Sequence, residues 1–333
     1  MAHNPTAFLT KIAKRRKTAI LAVAIVIVAT AMPVGLCETH AAAPASTQST
    51  AALGGLSETY ATAPGGLSLA HAATPVSTPP SMAKAVKATS SKHIMLIAHR
   101  GMPQIAPEHS IEGYRLAVSA GSIFLEQDIR MSKDGVLYVS HSDNVKRVTG
   151  KNLTITKTSS KTIDKLTLKN GEKLLRLSEL FAEFGNSVYY VIETKASATE
   201  KKARKVDGNL VKLIRKYGLE SRVMLQSQSV NSLKAVHKKL KGIPCMYITH
   251  TVSKKNLIKT IKSLPGFVDI ISVTSGKTTE KLRKAIHKRN MKLAVYTVTD
   301  ERSMKKALSK KPDMIFTNNV QMSITVLSGQ SAQ

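Results

Sequence analysis

His99, Arg100, Glu126, Asp128, His141 and Glu193 are the residues of this chain whose types and spacing could do chemistry. Glu126 and Asp128 are two carboxylates at i and i+2, so in a strand they point the same way. Their neighbours Ile123, Phe124, Leu125 and Ile129 are apolar. Burying like charges together is costly unless a cation neutralises them, and hard oxygen ligands suit Mg²⁺ or Ca²⁺. Glu193 closes the run Val188-Tyr189-Tyr190-Val191-Ile192 and could supply a third oxygen. His99 and His141 end other strand-like runs, and imidazoles near neutrality can take one proton and give another. Arg100 carries a planar fork suited to phosphate oxygens. Together these groups suit a metal-assisted attack on a phosphate ester. Each has a plainer reading: solvated acids on an edge strand, structural strand-end histidines, or a Glu193 that pairs with Lys195.

Rigid elements must hold such groups. Apolar runs at 93–98, 123–129, 136–141, 188–193, 222–226, 244–249, 268–273, 292–297 and 313–317 predict strands. Helical periodicity falls between several of them, at 110–120, 205–217, 229–240, 277–289 and 301–309. Strand and helix alternate from about residue 92 to 327, which predicts an α/β fold, a (β/α)8 barrel or an open doubly wound sheet. Nine strands are one too many for such a barrel, so one belongs to a hairpin. Asp134-Gly135 marks its turn. A two-residue turn there sets Asp128 opposite His141 and Glu126 opposite Asp143. Gly101 is expected to let the backbone approach a ligand closely.

The N-terminal part reads differently. Lys11, Lys14, Arg15, Arg16 and Lys17 precede an uncharged apolar run from Thr18 to Val34, and Ala41-Ala42-Ala43 offers a cleavage site. Residues 1–43 have the layout of a secretory signal peptide, or of a membrane anchor if uncleaved. Residues 44–91 are rich in Ala, Ser, Thr and Pro and read as a low-complexity spacer. Residues 92–327 are the folded domain and 328–333 a tail. The expected location is secreted or cell-surface. Cys37 and Cys245 are the chain's two cysteines. Cleavage beyond Cys37 leaves a single thiol and no intramolecular disulfide.

Lys and Arg number 50 against 21 Asp and Glu, a formal charge of +29. That excess points to anionic partners such as a cell-wall polymer or a membrane surface. Aromatic residues make up 4% of the chain and Trp is absent, so no nucleic-acid partner is expected.

Several motifs occur in one order: His99-Arg100-Gly101, Pro107-Glu108-His109-Ser110, Glu126-Gln127-Asp128, Ser132-Lys133-Asp134-Gly135, a strand ending in His141, and Arg147 with Thr149-Gly150. Leu174 to Leu180, Val191-Ile192-Glu193-Thr194-Lys195, Gln226-Ser227 and Val295 to Val298 follow. This series resembles the glycerophosphodiester phosphodiesterase family over roughly residues 93–320. The resemblance implies a (β/α)8 barrel with its site at the C-terminal strand ends. It implies His99 and His141 as the acid–base pair. It also implies one divalent cation, Mg²⁺ or Ca²⁺, on Glu126, Asp128 and Glu193. Arg100 and Lys195 would contact phosphate, with Glu108 also in the site. His109 stands where the family usually has Asn, Ser142 where it has Asp, and Gln228 where it has Phe. Tyr296 replaces Trp, and Asn318 and Val320 replace Asp and Pro.

The expected activity is hydrolysis of a glycerophosphodiester, a cell-wall glycerophosphate polymer or a lipid headgroup to glycerol 3-phosphate and an alcohol. Two alternatives stand beside it: a non-catalytic polyanion-binding barrel, and a phospholipase-type lipid phosphodiesterase.

Overall fold

Alternation along short strands builds the molecule. The computed structural model describes residues 79–195 and 199–331. Among these, nine strands form one sheet: β1 (Met95–Ala98), β2 (Phe124–Met131), β3 (Leu137–Val139), β4 (Tyr189–Thr194), β5 (Val223–Ser227), β6 (Cys245–Ile248), β7 (Ile270–Thr274), β8 (Lys292–Val298) and β9 (Met314–Thr317). Eight are parallel and close into a barrel, because β1 pairs with both β2 and β9. β3 is the hairpin strand, antiparallel to β2.

Side chains two apart share a face. The inward set at the N-terminal end is apolar: Met95, Ile97, Tyr189, Val191, Met224, Met246, Ile270, Ala294, Met314 and Phe316. The opposite face of the strands packs against the helices through a second, larger apolar cluster. Continuing each inward series past the apolar layer gives His99, then Glu126 and Asp128, then Glu193 and Lys195, Gln226 and Gln228, His250, Ser272, Tyr296 and Asn318. The barrel is thus apolar at one end and polar at the other.

A helix closes the apolar end. α1 (Met82–Ala88) lies in the stretch read as spacer. Ser81 caps it, and Met82 and Val86, four apart, are buried in the inward cluster. Met82 N donates to Ser221 O at 2.7 Å, and the Tyr189 hydroxyl donates to Pro80 O. Two apolar side chains on a two-turn helix give too weak a period to read in an Ala-rich sequence. The tail also begins later than expected, since the last helix runs Val320–Ser331. Residues 1–43, most of the spacer and Cys37 lie outside the described residues. Among the described residues, no helix is long and apolar enough to cross a membrane.

The β2–β3 hairpin is in place, but its register is one residue from the expected one. Ile129 pairs with Val139 and Met131 with Leu137. The loop holds three residues, Lys133-Asp134-Gly135, closed by Ser132 N donating to Val136 O at 2.8 Å. Gly135 takes φ +100°, the left-handed residue such a loop needs. The extra residue sets Ser140, not His141, beside Asp128, and Ser140 N donates to Asp128 O at 2.8 Å. Asp143 turns away and accepts from Thr156 N and Oγ1.

Candidate active site

The polar end of the barrel opens into a cavity of about 260 Å³. His99, Arg100, Glu126, His141, Glu193 and Lys195 all line it, with Gln226, Gln228, His250 and Tyr296. Six of the eight sequence-derived site residues therefore meet there. Asp128 and Glu108 stand just behind, against Arg100.

Parallel register explains the carboxylate cluster. Asp128 is level with Glu193 across β2 and β4, and Glu193 is level with Gln226 across β4 and β5. Gln226 Nε2 donates to Glu126 Oε1 at 3.1 Å, and Arg100 N donates to Glu126 Oε2 at 3.0 Å. Lys195 Nζ lies 2.7 Å from Asp128 Oδ1 and 2.8 Å from Glu193 Oε1. Arg100 places Nε 3.2 Å from Asp128 Oδ2 and Nη1 3.1 Å from Glu108 Oε2. Arg147 pairs with the other oxygen of Glu108.

Arg100 and Gly101 form a sharp turn after β1, with φ of 61° and 83°. A Cβ on Gly101 would come within 2.8 Å of Gly113 C. Glycine is needed there for its positive φ and for packing against α2 (Ile111–Ser119). Ser110 caps α2, accepting from Gly113 N at 3.0 Å.

Burial sets the protonation states. Glu126 is pushed well above the usual carboxylate range by burial and by Asp128. Glu193 is pushed up to about 7 by burial and by Asp128. Burial works against ionised Asp128 too. The contact with His109 and the Lys195 and Arg100 charges outweigh it and hold Asp128 well below the usual range. Burial, with Arg100 next in weight, lowers His99 to about 4. Burial lowers His141 to about 4 as well, against the pull of Asp128. Both imidazoles are neutral at pH 7 in this environment.

His99 Nδ1 lies 2.7 Å from Asn318 Oδ1. An amide oxygen only accepts, so Nδ1 carries the proton and Nε2 keeps its lone pair. His141 has a looser partner, Ser142 Oγ at 3.5 Å from Nδ1.

The arrangement fits a divalent cation. Glu126 and Asp128 are buried carboxyl groups on one face of β2, and holding both ionised calls for a cation. One ligand atom from each of His109, Glu126 and Asp128 lies within 4.8 Å of the others. Glu193 joins this group through Lys195, which it shares with Asp128.

Sequence reasoning noticed His109 as a departure from a motif without seeing its contact with Asp128. It also missed Asn318 beside His99, Arg147 on Glu108, and Gln226 on Glu126. The two-residue alternation, carried one step past each apolar run, would have found Gln226 and Asn318. Nothing local marks His109, on the turn before α2, or Arg147, on the short helix Lys146–Thr149.

The model of the glycerophosphoryl diester phosphodiesterase family matches residues 99–322. A glycerophosphodiester phosphodiesterase of Bacillus subtilis is 27% identical over 265 residues, 72% of this chain and 89% of that protein. The crystal structure of a putative glycerophosphoryl diester phosphodiesterase from Silicibacter pomeroyi superimposes with a TM-score of 0.64 at 18% identity, covering 71% of this chain and 94% of the other. An Oleispira antarctica phosphodiesterase in complex with the product sn-glycerol-3-phosphate gives 0.60 at 17% identity, covering 70% and 96%. The matched span takes in the whole cavity and every strand of the closed barrel from its first histidine onward: the chain belongs to the glycerophosphoryl diester phosphodiesterase family, the phosphoric diester hydrolases of this barrel.

Proposed function

We propose that the chain is an exported, divalent-metal-dependent phosphodiesterase that cleaves glycerophosphodiesters to glycerol 3-phosphate and an alcohol. The observation that carries this reading is the convergence of two histidines, two cations and three buried carboxylates in and just behind one cavity. The Bacillus subtilis relative's name and the product bound to the Oleispira antarctica structure support the substrate class.

Glu126, Asp128 and Glu193 would hold the ion, which when bound neutralises charge on the non-bridging phosphate oxygens. Arg100 and Lys195 add fixed positive charge beside the same oxygens, where it is worth most in a site shielded from water. Glu108 and Asp128 hold the Arg100 guanidinium in place. His99 is oriented as the base: Asn318 holds its Nδ1 proton, so Nε2 can take one from the nucleophile, the glycerol 2-hydroxyl or a water. His141, its ring free of any strong partner, would give the leaving alcohol its proton from the protonated form, which the anionic phosphate beside it favours.

The charge of +29 and the leader-like residues 1–43 support a substrate outside the cytoplasm. Glycerophosphate polymers of a cell wall and lipid headgroups are polyanions found there, and a basic surface concentrates them. The test compares a glycerophosphate polymer with a small diester as salt is raised. Activity on the polymer falls steeply and on the diester little. Equal salt dependence removes the polymer from the reading.

A further inference from the structure

His109 is buried, with 2% of its surface exposed, and its ring is held at both nitrogens. Nδ1 lies 2.7 Å from the Tyr114 hydroxyl, and Nε2 lies 3.1 Å from Asp128 Oδ2. The Tyr114 hydroxyl has one proton, and it donates that proton to Glu126 O at 2.8 Å. Towards His109 the phenol oxygen is therefore an acceptor, and Nδ1 carries the imidazole proton. Nε2 then lies 3.1 Å from a carboxylate oxygen, with room between them for either a proton or a metal ion. Two lone pairs at that separation repel unless a cation sits before both. About 3 Å is the spacing of adjacent corners in an octahedron of 2.0–2.1 Å bonds. The backbone holds the ring there: His109 takes φ +60°, and its N–H donates to Arg100 O at 3.0 Å.

A shared proton is the competing cation. One observation favours a metal: a carboxylate oxygen of Glu126 falls within 4.8 Å of both His109 and Asp128 ligand atoms, and a proton shared by two atoms gives that third group no role.

We propose that His109 Nε2 is a direct ligand of the divalent ion held by Glu126 and Asp128, and that it turns the site toward Mn²⁺- and Zn²⁺-class ions and away from Mg²⁺ and Ca²⁺. Carboxylates alone suit the hard cations, whereas imidazole suits the borderline transition metals. The inference rests on the metal-binding half of the proposed function and is independent of whether a diester is cleaved. Tyr114 becomes a positioning residue, fixing which ring nitrogen faces the ion, as outer partners of metal-bound histidines do.

The experiment uses the full chain, stripped by a chelator and reloaded with Mn²⁺. Pulsed electron paramagnetic resonance reads whether a histidine nitrogen is coupled to the ion, with ¹⁵N-histidine protein as the control. Mn²⁺ and Mg²⁺ affinities are measured by calorimetry for wild type and His109→Asn. The proposal expects nitrogen coupling in the wild type, retained in His99→Asn and His141→Asn and lost in His109→Asn. It expects His109→Asn to weaken Mn²⁺ about ten-fold or more, with Mg²⁺ changed less than about three-fold. Bound Mn²⁺ without nitrogen coupling overturns it, and so does an equal loss for both ions; either makes His109 only a hydrogen-bond partner of Asp128. The wild-type spectrum decides even if His109→Asn fails to fold. No Mn²⁺ binding at all overturns both this proposal and the metal half of the proposed function. Nitrogen coupling without diester cleavage sustains this proposal and removes the hydrolytic reading.

Discussion

Asp128 and Glu193 stand level in adjacent parallel strands, and the single ammonium of Lys195 lies within 2.8 Å of an oxygen of each. Parallel pairing sets that relationship, since it aligns inward positions of β2 and β4. Lys195 sits two residues beyond Glu193 on the same face, so strand geometry delivers carboxylate and cation together.

Lys195 therefore holds the acidic cluster and offers positive charge to a phosphate. Lys195→Met is expected to lower kcat/KM about 100-fold or more, as removal of a preorganised charge from a transition-state oxyanion does. Steady-state kinetics on a glycerophosphodiester checks this. A loss under about three-fold would make Lys195 a structural ion pair only.

The histidine roles separate by leaving group. His141→Ala should cost about 100-fold or more with an alkyl alcohol leaving group, and far less with p-nitrophenol, which needs no proton. His99→Ala should cost similarly with both. The reverse pattern would exchange the two roles.

Met82 is buried in the inward cluster, with 1% of its surface exposed. Met82→Ala should destabilise the fold by about 2–4 kcal/mol, the range for a buried large-to-Ala change. The site lies at the other end of the barrel, so kcat should not change. Urea unfolding with parallel kinetics checks both. A chain begun at residue 92 lacks α1 altogether and should be less stable still.

Asp207, on the helix Glu200–Lys216, is raised to about 6 by burial, against the Ser232 hydrogen bond. A carboxyl whose folded pKa lies above its unfolded value of about 4 binds its proton more tightly in the fold. Its effect on stability is unfavourable above pH 6 and vanishes as pH falls through 6 to 4. Asp207→Asn keeps an acceptor for Ser232 Oγ. The variant should be more stable than wild type by about 1–2 kcal/mol at pH 7.5, with the gain closing by about pH 4. Urea midpoints across that range test it, and a gain independent of pH would contradict the assignment.

Strand ends were the legible part of the sequence. A run of apolar residues broken by His99, Glu126 or Glu193 fixes both the element and the direction of the polar side chain, because alternation is strict. Register was less legible. Asp134-Gly135 marked the turn, but the sequence does not show that Lys133 joins the loop, and one residue moved His141 off Asp128. Contacts made by the segments between strands were not legible either. His109 and Arg147 reach Asp128 and Glu108 by tertiary folding, and no period foretells them. α1 was hidden because its burial depends on the barrel floor and not on its own composition.

The most direct measurement is release of glycerol 3-phosphate from a glycerophosphodiester by the full chain, with and without a chelator, beside His99→Ala and His141→Ala. Release that is lost on chelation, restored by a divalent ion and reduced about 100-fold or more in both variants is the predicted result. Release that survives chelation, or that survives loss of either histidine, would contradict the assignment of this cavity as a metal-assisted, two-histidine site.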